Sequence, residues 1–531
     1  MVLGLLGLSI LFLLLRLPRL RGLPIFGDEA IFLRLAQLIR ENAQTFLWAS
    51  LQEASPPLHP WLLALSLGLS SDPVTSGRLL SVIAGLLTVP AVFVLARDLV
   101  RLSGAPAGSE RAGFLAAVLV IFCPFAALAQ RMARVDALFL LECVVVAWLS
   151  LRTASNPSPR HGVLLGVALG LTMLTRQNYS YLLWLSPLLA WWWLVRKPGD
   201  GRLGAPALIR AMAPALLIAF VLWAPMLATR EGPDLGTRIF HHAGARPSMA
   251  PSERLTLAGR AAADSIVWMW SYLTPPVAIF SACSLAWLLF KRKRVGGFLL
   301  SWILLFWLPG AFVAAVFFPR YVLPILVPLL IASALALSGI SLRSRSAAAG
   351  LLLILLLWPA RDLAIQITDW RRQNLVPIDR WQFVSGWPAG YATEQALRHL
   401  EMEASKGPIA VITSPHSGNP TDTVWLYSPS NALSLYSATS FEEELLPPGP
   451  EPGTFRLRGD PRRLGPTRAV RLPGGVRVLH LTTEEVITPR GAGRAAELLG
   501  PRNPDLQRVA RFENPRDTDG PIAAVVIYRV R

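Results

Sequence analysis

The sequence predicts a polytopic α-helical membrane protein with a soluble α/β domain at its C-terminal end. Of the 531 residues, 53% are hydrophobic and only 16% are charged, which is more apolar than a soluble globular chain. The apolar residues collect in runs that are long enough to cross about 30 Å of hydrocarbon as helices. After residue 361 these runs stop, and Pro, Gly, Asp and Arg become frequent. We therefore expect a membrane-embedded part over residues 1–360 and a soluble part over residues 361–531.

Eleven apolar segments are long enough to form membrane-spanning helices. They cover residues 1–16, 78–96, 112–129, 136–151, 161–175, 180–195, 207–228, 266–290, 296–318, 321–342 and 347–360. The first segment is similar to a secretory signal, but no small-residue cleavage site follows it. We therefore expect an uncleaved first span and about 11 transmembrane helices.

Basic residues in the short loops predict the orientation. Five basic loops fall on one side of the eleven spans: 97–111, 152–160, 196–210, 291–294 and 343–345. The positive-inside rule makes this side cytoplasmic, so the N-terminus is expected inside and the C-terminal domain outside. Arg16, Arg19 and Arg21 follow the first span on the outer side, against the rule. A lipid phosphate at that surface would give these charges a partner.

Two long loops are expected on the outer side, at 17–77 and 229–265. The first contains residues 31–40, whose apolar positions recur at helical spacing with arginines between them. This pattern predicts a helix that lies on the membrane surface or packs on the bundle with its arginines solvated. Either arrangement keeps Asp28 and Glu29 near the lipid headgroups. The second loop has no strong periodicity, which favours a mobile, substrate-gated loop.

The tail reads as a small α/β domain. A helix is predicted over residues 391–405, where Gly407 ends it. Strands are predicted at 409–412, 433–436, 476–479 and 523–528. The Pro- and Gly-rich segment 447–475 is expected to be an irregular loop.

Composition also excludes several function classes. The net charge is +18, but the arginines are scattered between apolar runs and do not line one polar face, so no nucleic-acid partner is expected. Cys123, Cys143 and Cys283 lie inside apolar segments, where a thiol acts as a small hydrophobe. Neither a disulfide framework nor a thiolate metal site is supported.

Four polar groups collect on the predicted outer side, and each has a structural as well as a functional explanation. Asp28 and Glu29 follow the first span and precede a predicted helix, so they suit the first turn of that helix as well as a catalytic site. Glu53, Ser55 and His59 surround the dipeptide 56–57, which is Pro-Pro and forms a rigid turn.

The other two polar groups open predicted spans. Arg134 and Asp136 stand at the start of the fourth span, where ionisable groups are costly unless they pair or bind something. Arg320 and Tyr321 open the tenth span. Snorkelling and interfacial anchoring explain these two residues singly, whereas together they suit phosphate binding.

The order of these motifs resembles a known family of membrane glycosyltransferases. The motifs are Asp28-Glu29, Pro56-Pro57-Leu58, Arg134 with Asp136, Leu174-Thr175-Arg176, and Arg320-Tyr321 with Pro324 and Pro328. They resemble the dolichyl-phosphate-mannose protein mannosyltransferase and lipid A aminoarabinose transferase group, or glycosyltransferase family 39, over about residues 1–340. The segment 379–391 is similar, more loosely, to the junction before the extracytoplasmic tail of bacterial members.

The resemblance implies a GT-C fold with about 11 transmembrane helices in the inner (plasma) membrane of a bacterium. It also implies a polyprenyl-phosphate-linked sugar as the donor and an extracytoplasmic acceptor that the sequence does not identify. The donor brings its own leaving group, so the enzyme needs a base for the acceptor and cations for the departing phosphate.

Residue roles follow from the same resemblance. Asp28 is expected to be the base of a single inverting displacement, with Glu29 orienting the acceptor or modulating Asp28 through like-charge proximity. Asp136 is expected to shape the acceptor or sugar pocket, next to an acceptor and donor loop. That loop comprises Glu53, Ser55, His59 and Arg134.

The leaving phosphate is expected to meet guanidinium groups, which suit it better than a point charge does. The expected phosphate ligands are Arg320, Tyr321 and Arg176, with Arg246 or Arg260 from the second outer loop.

The chain departs from the family pattern in two places. Aminoarabinose transferases have Glu-Lys directly before Pro-Pro, whereas Ala54 and Ser55 stand here and Glu53 lies one residue earlier. The lysine that commonly follows the fifth span is Arg176, which keeps the charge but changes its geometry. No cofactor is expected to be required. Glu53 with His241 or His242 has ligand types for a divalent metal, which stays open as a weak alternative.

Other functions remain open from the residues. A polymerase or ligase would use polyprenyl-diphosphate oligosaccharides on a similar scaffold and would consume long glycans. A lipid or sugar transporter would need many spans, but no paired Gly/Pro-broken helices are evident and polar residues collect on one outer face. A receptor is the third alternative, although eleven spans exceed what anchoring requires.

Overall fold

The computed structural model describes residues 1–102, 108–176, 181–196, 204–229, 250–313, 317–413, 418–427, 432–437, 454–458, 468–471, 476–486, 506–516 and 522–530. These residues belong to two compact units. The helical unit comprises Met1–Leu20, Ser50–Leu69 and Ser76–Asn374. The α/β unit comprises Arg21–Ala49, Ser70–Thr75 and Leu375–Arg531. Two pieces of the predicted first outer loop thus group with the C-terminal residues.

The described chain is mainly helical. The α-helices are α1 Val2–Arg16, α2 Gly27–Glu41, α3 Ala43–Phe46, α4 Leu58–Ser66, α5 Pro73–Leu102, α6 Ser109–Phe122, α7 Pro124–Gln130, α8 Val135–Ser155, α9 Pro159–Thr175, α10 Ser186–Ala190, α11 Gly204–Leu227, α12 Pro251–Leu273, α13 Pro275–Lys291, α14 Lys293–Val313, α15 Leu326–Arg343, α16 Arg345–Thr368, α17 Pro377–Arg380, α18 Tyr391–Ser405 and α19 Thr421–Leu426. Short 3₁₀ helices cover Ala49–Glu53, Pro319–Ile325 and Trp370–Arg372, and π-helical turns cover Trp191–Val195 and Trp381–Ser385.

Every predicted span overlaps a helix, but not every helix has the length of a span. Within the described residues, six helices are long and apolar enough to cross a membrane, or eight if each of two bent pairs counts once. The difference from eleven arises partly because α1 and α9 have 15 and 17 residues. The segment Tyr181–Val195 is also a shorter apolar helix.

Two predicted spans are wrong in shape. Residues 112–129 were expected to form a single helix, whereas α6 and α7 meet at a bend of 67°. Residues 266–290 were expected to form a single helix, whereas α12 and α13 meet at a bend of 117°. Thr274 has φ of 68° there, and two prolines follow it and cannot continue the hydrogen bonding of α12. The outer loop 229–265 is also corrected in part, because α12 already begins at Pro251. Residues 230–249 lie outside the described part.

Close packing of α9 against α11 depends on small residues. Three glycines at intervals of four face three alanines at the same interval: Gly162, Gly166 and Gly170 against Ala211, Ala215 and Ala219. A Cβ atom on Gly166 would lie 2.5 Å from the carbonyl oxygen of Ala215. Small residues at this spacing let helix backbones approach in a membrane, where packing and not hydrophobic exclusion holds helices together. The contact fixes α9, whose C-terminal end leads to Arg176.

Buried arginines secure the end of α1. Arg16 is fully buried; its Nε donates to Oε1 of Gln130 at 2.9 Å, and its Nη2 donates to the oxygen of Ile121 at 2.7 Å. Arg131 donates to the carbonyl oxygens of Arg16 and Pro18 at 2.7 and 2.9 Å. These bonds satisfy carbonyl groups that the helix end leaves without partners. Arg16 therefore serves packing inside the unit and does not meet a lipid phosphate at the surface.

The α/β unit contains a seven-stranded mixed sheet. Its strands are β1 Ile409–Thr413, β2 Ala432–Ser437, β3 Thr454–Arg458, β4 Arg468–Arg471, β5 Arg477–Val486, β6 Leu506–Glu513 and β7 Ile522–Val530. Their order is β4-β3-β2-β1-β5-β7-β6. Strand β1 pairs in parallel with β2 and β5, and the remaining pairs are antiparallel. All of β1 is buried, which explains its uninterrupted apolar run.

Helix α18 covers one face of this sheet. Ala396 and Leu400 of the helix pack with Val411, Leu481 and Ile527 of the strands in one buried cluster. The predicted helix 391–405 and the four predicted strands are confirmed. The prediction of an irregular loop over 447–475 is wrong in part, because β3 and β4 lie within it. Proline and glycine flank these short strands, and antiparallel pairing outweighs the local turn preference.

Candidate active site

Asp136 is held by two arginines at the start of α8. Its Oδ2 lies 2.9 Å from Nη2 of Arg134, and its Oδ1 accepts a hydrogen bond from Nη1 of Arg176 at 2.9 Å. Arg134 is the extended residue before the helix, and Arg176 follows the last residue of α9. The Asp136 side chain is only 4% exposed. Paired with two guanidinium groups, Asp136 is suited to orienting them and not to removing a proton.

Two further predicted residues lie around Arg176. The guanidinium carbon of Arg176 is 5.3 Å from the ring centre of Tyr321. Arg320 lies 5.8 Å from the same ring and also acts electrostatically on Asp136. Both Arg320 and Tyr321 belong to the 3₁₀ helix Pro319–Ile325 and are half-buried. The predicted phosphate ligands Arg176, Arg320 and Tyr321 are therefore neighbours.

His59 of α4 is close enough to Asp136 and Arg134 to interact with both electrostatically. It is 1% exposed, and burial lowers its pKa to about 3, with Asp136 and Arg134 acting in opposite directions on the pKa. A neutral imidazole at physiological pH adds no charge to the cluster. We define the arginine cluster as Arg134, Asp136, Arg176, Arg320 and Tyr321. It holds three guanidinium groups for one carboxylate, an excess of positive charge that favours a phosphate.

Asp28 and Glu29 lie in the first turn of α2, within the α/β unit. Glu29 is fully buried, and its Oε2 accepts a hydrogen bond from the backbone nitrogen of Phe26 at 3.0 Å. Glu29 thus supports the helix start. Asp28 is half-buried. Asp28 and Glu29 thus occupy the first turn of a helix, which was the structural explanation offered for them. The role of Asp28 as the catalytic base stays a prediction.

Helix α2 packs within the α/β unit. The guanidinium carbon of Arg34 lies 5.4 Å from the ring centre of Trp425, and Nε2 of Gln37 donates to the oxygen of Leu426 at 3.3 Å. Leu33, Leu35 and other apolar residues of α2 are fully buried. Within its unit α2 packs on α19, and Arg34, which was expected to be solvated in a helix packed on the bundle, is buried.

The remaining predicted residues are distributed as follows. Glu53 ends the 3₁₀ helix Ala49–Glu53, and the backbone nitrogen of Ser55 donates to the oxygen of Ser50 at 3.1 Å. Arg260 is exposed on α12. Arg246, His241 and His242 lie outside the described residues. Among the residues that are described, no group of three or more His, Cys, Asp and Glu could hold a metal ion.

Two residues that lie next to predicted site residues were not identified from the sequence. Glu142 of α8 is buried, and its Oε1 accepts a hydrogen bond from Oγ1 of Thr175 at 2.7 Å, directly before Arg176. A carboxylate inside an apolar span was a usable signal for it. Asn419 contacts the chain just before α2. Nothing in its local sequence indicates a partner almost 400 positions away.

Comparison with known proteins identifies relatives in sequence and fold. Residues 54–228 match the family model of dolichyl-phosphate-mannose-protein mannosyltransferases. The solved structure of ArnT from Cupriavidus metallidurans bound to undecaprenyl phosphate is 13% identical, with a TM-score of 0.51. That similarity covers 99% of this chain and 97% of ArnT. No curated protein sequence matches the chain significantly.

Two larger proteins give lower scores. The oligosaccharyltransferase of Archaeoglobus fulgidus, solved with zinc and sulfate, is 13% identical with a TM-score of 0.47, over 81% of this chain. This chain covers only 62% of that protein's length. Arabinofuranosyltransferase AftD from Mycobacteria is 14% identical with a TM-score of 0.45, over 99% of this chain and 41% of AftD. Residues 54–228 are thus similar in sequence to this mannosyltransferase family, and the chain as a whole is similar in fold to ArnT.

Proposed function

We propose that the protein transfers a sugar from a polyprenyl-phosphate donor to an extracytoplasmic acceptor, with inversion at the anomeric carbon. The arginine cluster is the observation that carries the proposal, because it concentrates positive charge and an aromatic hydroxyl at the ends of apolar helices. A lipid phosphate is the anion expected at such a place. Undecaprenyl phosphate, found bound to ArnT from Cupriavidus metallidurans, is the kind of carrier we propose.

The cluster would act on the departing phosphate. Arg176 and Arg320 supply guanidinium groups, and the hydroxyl of Tyr321 supplies a neutral donor. Asp136 holds Arg134 and Arg176 in place through both carboxylate oxygens, so the charge is arranged before the donor binds. Preorganised donors of this kind stabilise charge that develops in the transition state.

Asp28 would act as the base. It would accept the proton of the acceptor hydroxyl or amine. At the same time the acceptor oxygen or nitrogen would attack the anomeric carbon, and the phosphate oxygen would leave. The sugar–phosphate bond breaks as the new glycosidic bond forms, and free polyprenyl phosphate is the second product. Glu29 contributes through the helix start that it caps, since its carboxylate already accepts a backbone hydrogen bond.

The remaining assignments belong to the same proposal. Residues 1–360 form the membrane part, the tail 361–531 lies outside the cytoplasm, and the membrane is the bacterial inner membrane. Glu53, Ser55 and His59 line the path of the donor or acceptor, and Arg246 and Arg260 assist at the phosphate. No metal is required in this mechanism.

The donor class can be tested with membranes that contain the protein. They would be incubated with undecaprenyl phosphate carrying mannose, glucose, arabinose or aminoarabinose, and separately with an undecaprenyl-diphosphate oligosaccharide. We expect one monophosphate donor to be consumed with release of free undecaprenyl phosphate. Consumption of the diphosphate donor alone would indicate a polymerase or ligase. Movement of intact donor across the membrane without cleavage would indicate a transporter.

A further inference from the structure

The helix that carries Asp28 begins against residues from the far end of the chain. The backbone nitrogen of Gly27 donates to the carbonyl oxygen of Pro388 at 2.9 Å. The rings of Phe26 and Phe383 meet edge to face, with centres 4.9 Å apart. The first N–H groups of a helix have no partner within the helix. The direction of the first turn of α2 therefore depends on residues 383–388.

Asn419 joins the two segments with its side chain. Its Nδ2 donates to the carbonyl oxygens of Ile25 and Pro388 at 2.9 and 2.8 Å. Its Oδ1 accepts a hydrogen bond from Oγ1 of Thr423 at 2.5 Å. The residue is 4% exposed. Both N–H groups and the oxygen are used, so the amide has one orientation in which its bonds are satisfied.

Glycine allows the two backbones to come this close. A Cβ atom on Gly390 would overlap the carbonyl oxygen of Ile25. On the other segment, a Cβ atom on Gly27 would lie at an ordinary van der Waals distance of 3.5 Å from the backbone nitrogen of Asn419, so the requirement for glycine is at Gly390. Close backbone approach is a recurring use of glycine. The two backbones are therefore in direct contact here, and rotation of a side chain could not make room for a larger residue.

A second asparagine connects this contact to the sheet. Nδ2 of Asn514 donates to the oxygen of Gly386 at 2.7 Å, and its Oδ1 accepts from the backbone nitrogen of Ala392 at 2.7 Å. The backbone nitrogen of Asn514 donates to the oxygen of Ala523 in β7 at 2.9 Å. A continuous hydrogen-bonded path thus runs from the sheet through residues 386–392 to the start of α2.

We propose that Asn419, a residue of the C-terminal part of the chain, is a positioning residue for Asp28. This inference rests on the proposed function, in which Asp28 is the base. A general base must lie within hydrogen-bond reach of the proton it removes. A shift of about 1 Å at the start of α2 would thus lower the rate of transfer while the arginine cluster of the helical unit still bound donor.

The experiment compares Asn419→Asp, Thr423→Val and Leu481→Ala in the full-length protein in detergent micelles. Asn419→Asp keeps the shape of the side chain but replaces its NH2 group with a carboxylate oxygen. That oxygen cannot donate to the carbonyl oxygens of Ile25 and Pro388 and is repelled by them. Thr423→Val is the milder variant, because it only removes the hydroxyl that orients the amide. Leu481→Ala is the control for general destabilisation. Leu481 lies in the buried cluster that α18 shares with the sheet and that includes Ala392, but its side chain makes none of the hydrogen bonds at the start of α2.

Two readouts separate this inference from the proposed function. Hydrogen exchange of the peptide 24–34 measures the order of the helix start without any substrate. Turnover of the undecaprenyl-phosphate sugar that the wild type consumes gives kcat and KM. We expect both Asn419 and Thr423 variants to exchange faster in this peptide and to lose about tenfold or more in kcat at similar KM. Leu481→Ala should leave kcat per folded molecule within about twofold.

Unchanged exchange of residues 24–34 in both variants would overturn the positioning role, whatever the activity. Faster exchange with unchanged kcat would overturn it as well, because the helix start would then not matter for transfer. A wild type that consumes none of the donors would overturn the proposed function. The exchange data would in that case still decide whether Asn419 orders the start of α2.

Discussion

Asp136 and Arg176 form an ion pair at 2.9 Å although 40 positions separate them in the chain. The pair joins the first turn of α8 to the residue after α9, and Arg134 approaches the other oxygen of the same carboxylate at 2.9 Å. Breaking a buried pair by removing one partner leaves an uncompensated charge, which is strongly destabilising. The guanidinium groups of the cluster therefore depend on Asp136 for their arrangement.

Replacement of Asp136 should weaken donor binding. In Asp136→Asn the two arginines repel each other with no carboxylate between them, so we expect the KM for the polyprenyl-phosphate donor to rise about tenfold, equivalent to about 1.4 kcal/mol. Asp98→Asn is the matched control. Asp98 is also buried between two arginines, with Arg97 at 3.0 Å and Arg152 at 2.8 Å, and it lies outside the cluster. Equal KM changes in the two variants would contradict a phosphate role for the cluster.

The glycines of α9 should be sensitive to a single methyl group. In Gly166→Ala the new carbon would meet the carbonyl oxygen of Ala215 at 2.5 Å, so α9 and α11 must separate. We expect a clear fall in the thermal unfolding temperature of the purified protein. Gly350→Ala in α16 has nothing within 4 Å of the new carbon. It should be neutral or stabilising by about 0.5–1 kcal/mol, because alanine is the better helix former. A smaller effect at Gly166 than at Gly350 would refute the packing account.

The eleven apolar segments and the order of motifs were readable from the sequence because both are local properties. Hydropathy over a window predicts a helix in lipid, and β1 and β5 follow from short runs of β-branched residues. The bend at Thr274 was missed because a continuous apolar run does not reveal two helices. Strands β3 and β4 were missed because their pairing partner, and not their composition, makes them strands.

Single residues of the site could be predicted from the sequence, but most contacts between them could not. Arg134 with Asp136 could be proposed because only one residue separates them, and this ion pair is confirmed. The addition of Arg176 to the pair could not be foreseen from one sequence, since it depends on the packing of α9. Asn419 has a partner before α2 that only the fold reveals. The roles of all these residues in transfer stay predictions.

The α/β unit should lose stability in acid because of His480. This residue of β5 is 1% exposed, and burial lowers its pKa from 6.5 to about 4. The folded state then binds fewer protons than the unfolded state below pH 6.5, so stability falls as pH falls and levels off below about pH 4. The expected loss between pH 7 and pH 5 is about 2 kcal/mol.

Unfolding of the C-terminal residues can be followed by hydrogen exchange of the β5 and β7 peptides at pH 7 and pH 5. His480→Leu should remove most of this difference between the two pH values. If the variant keeps the full acid sensitivity of the wild type, other groups must cause it.

Replacement of Asp28 by Asn tests the central claim most directly. The change keeps the size of the side chain and its place in the first turn of α2, but it removes the base. We predict that kcat for sugar transfer falls by about 100-fold or more, while the KM for the polyprenyl-phosphate donor changes by no more than about threefold and the protein stays folded. Glu29→Gln, which retains an oxygen for the amide of Phe26, should lose far less. Single-turnover transfer from the donor measures both variants, and wild-type kcat in folded Asp28→Asn protein would contradict the assignment of Asp28 as the base.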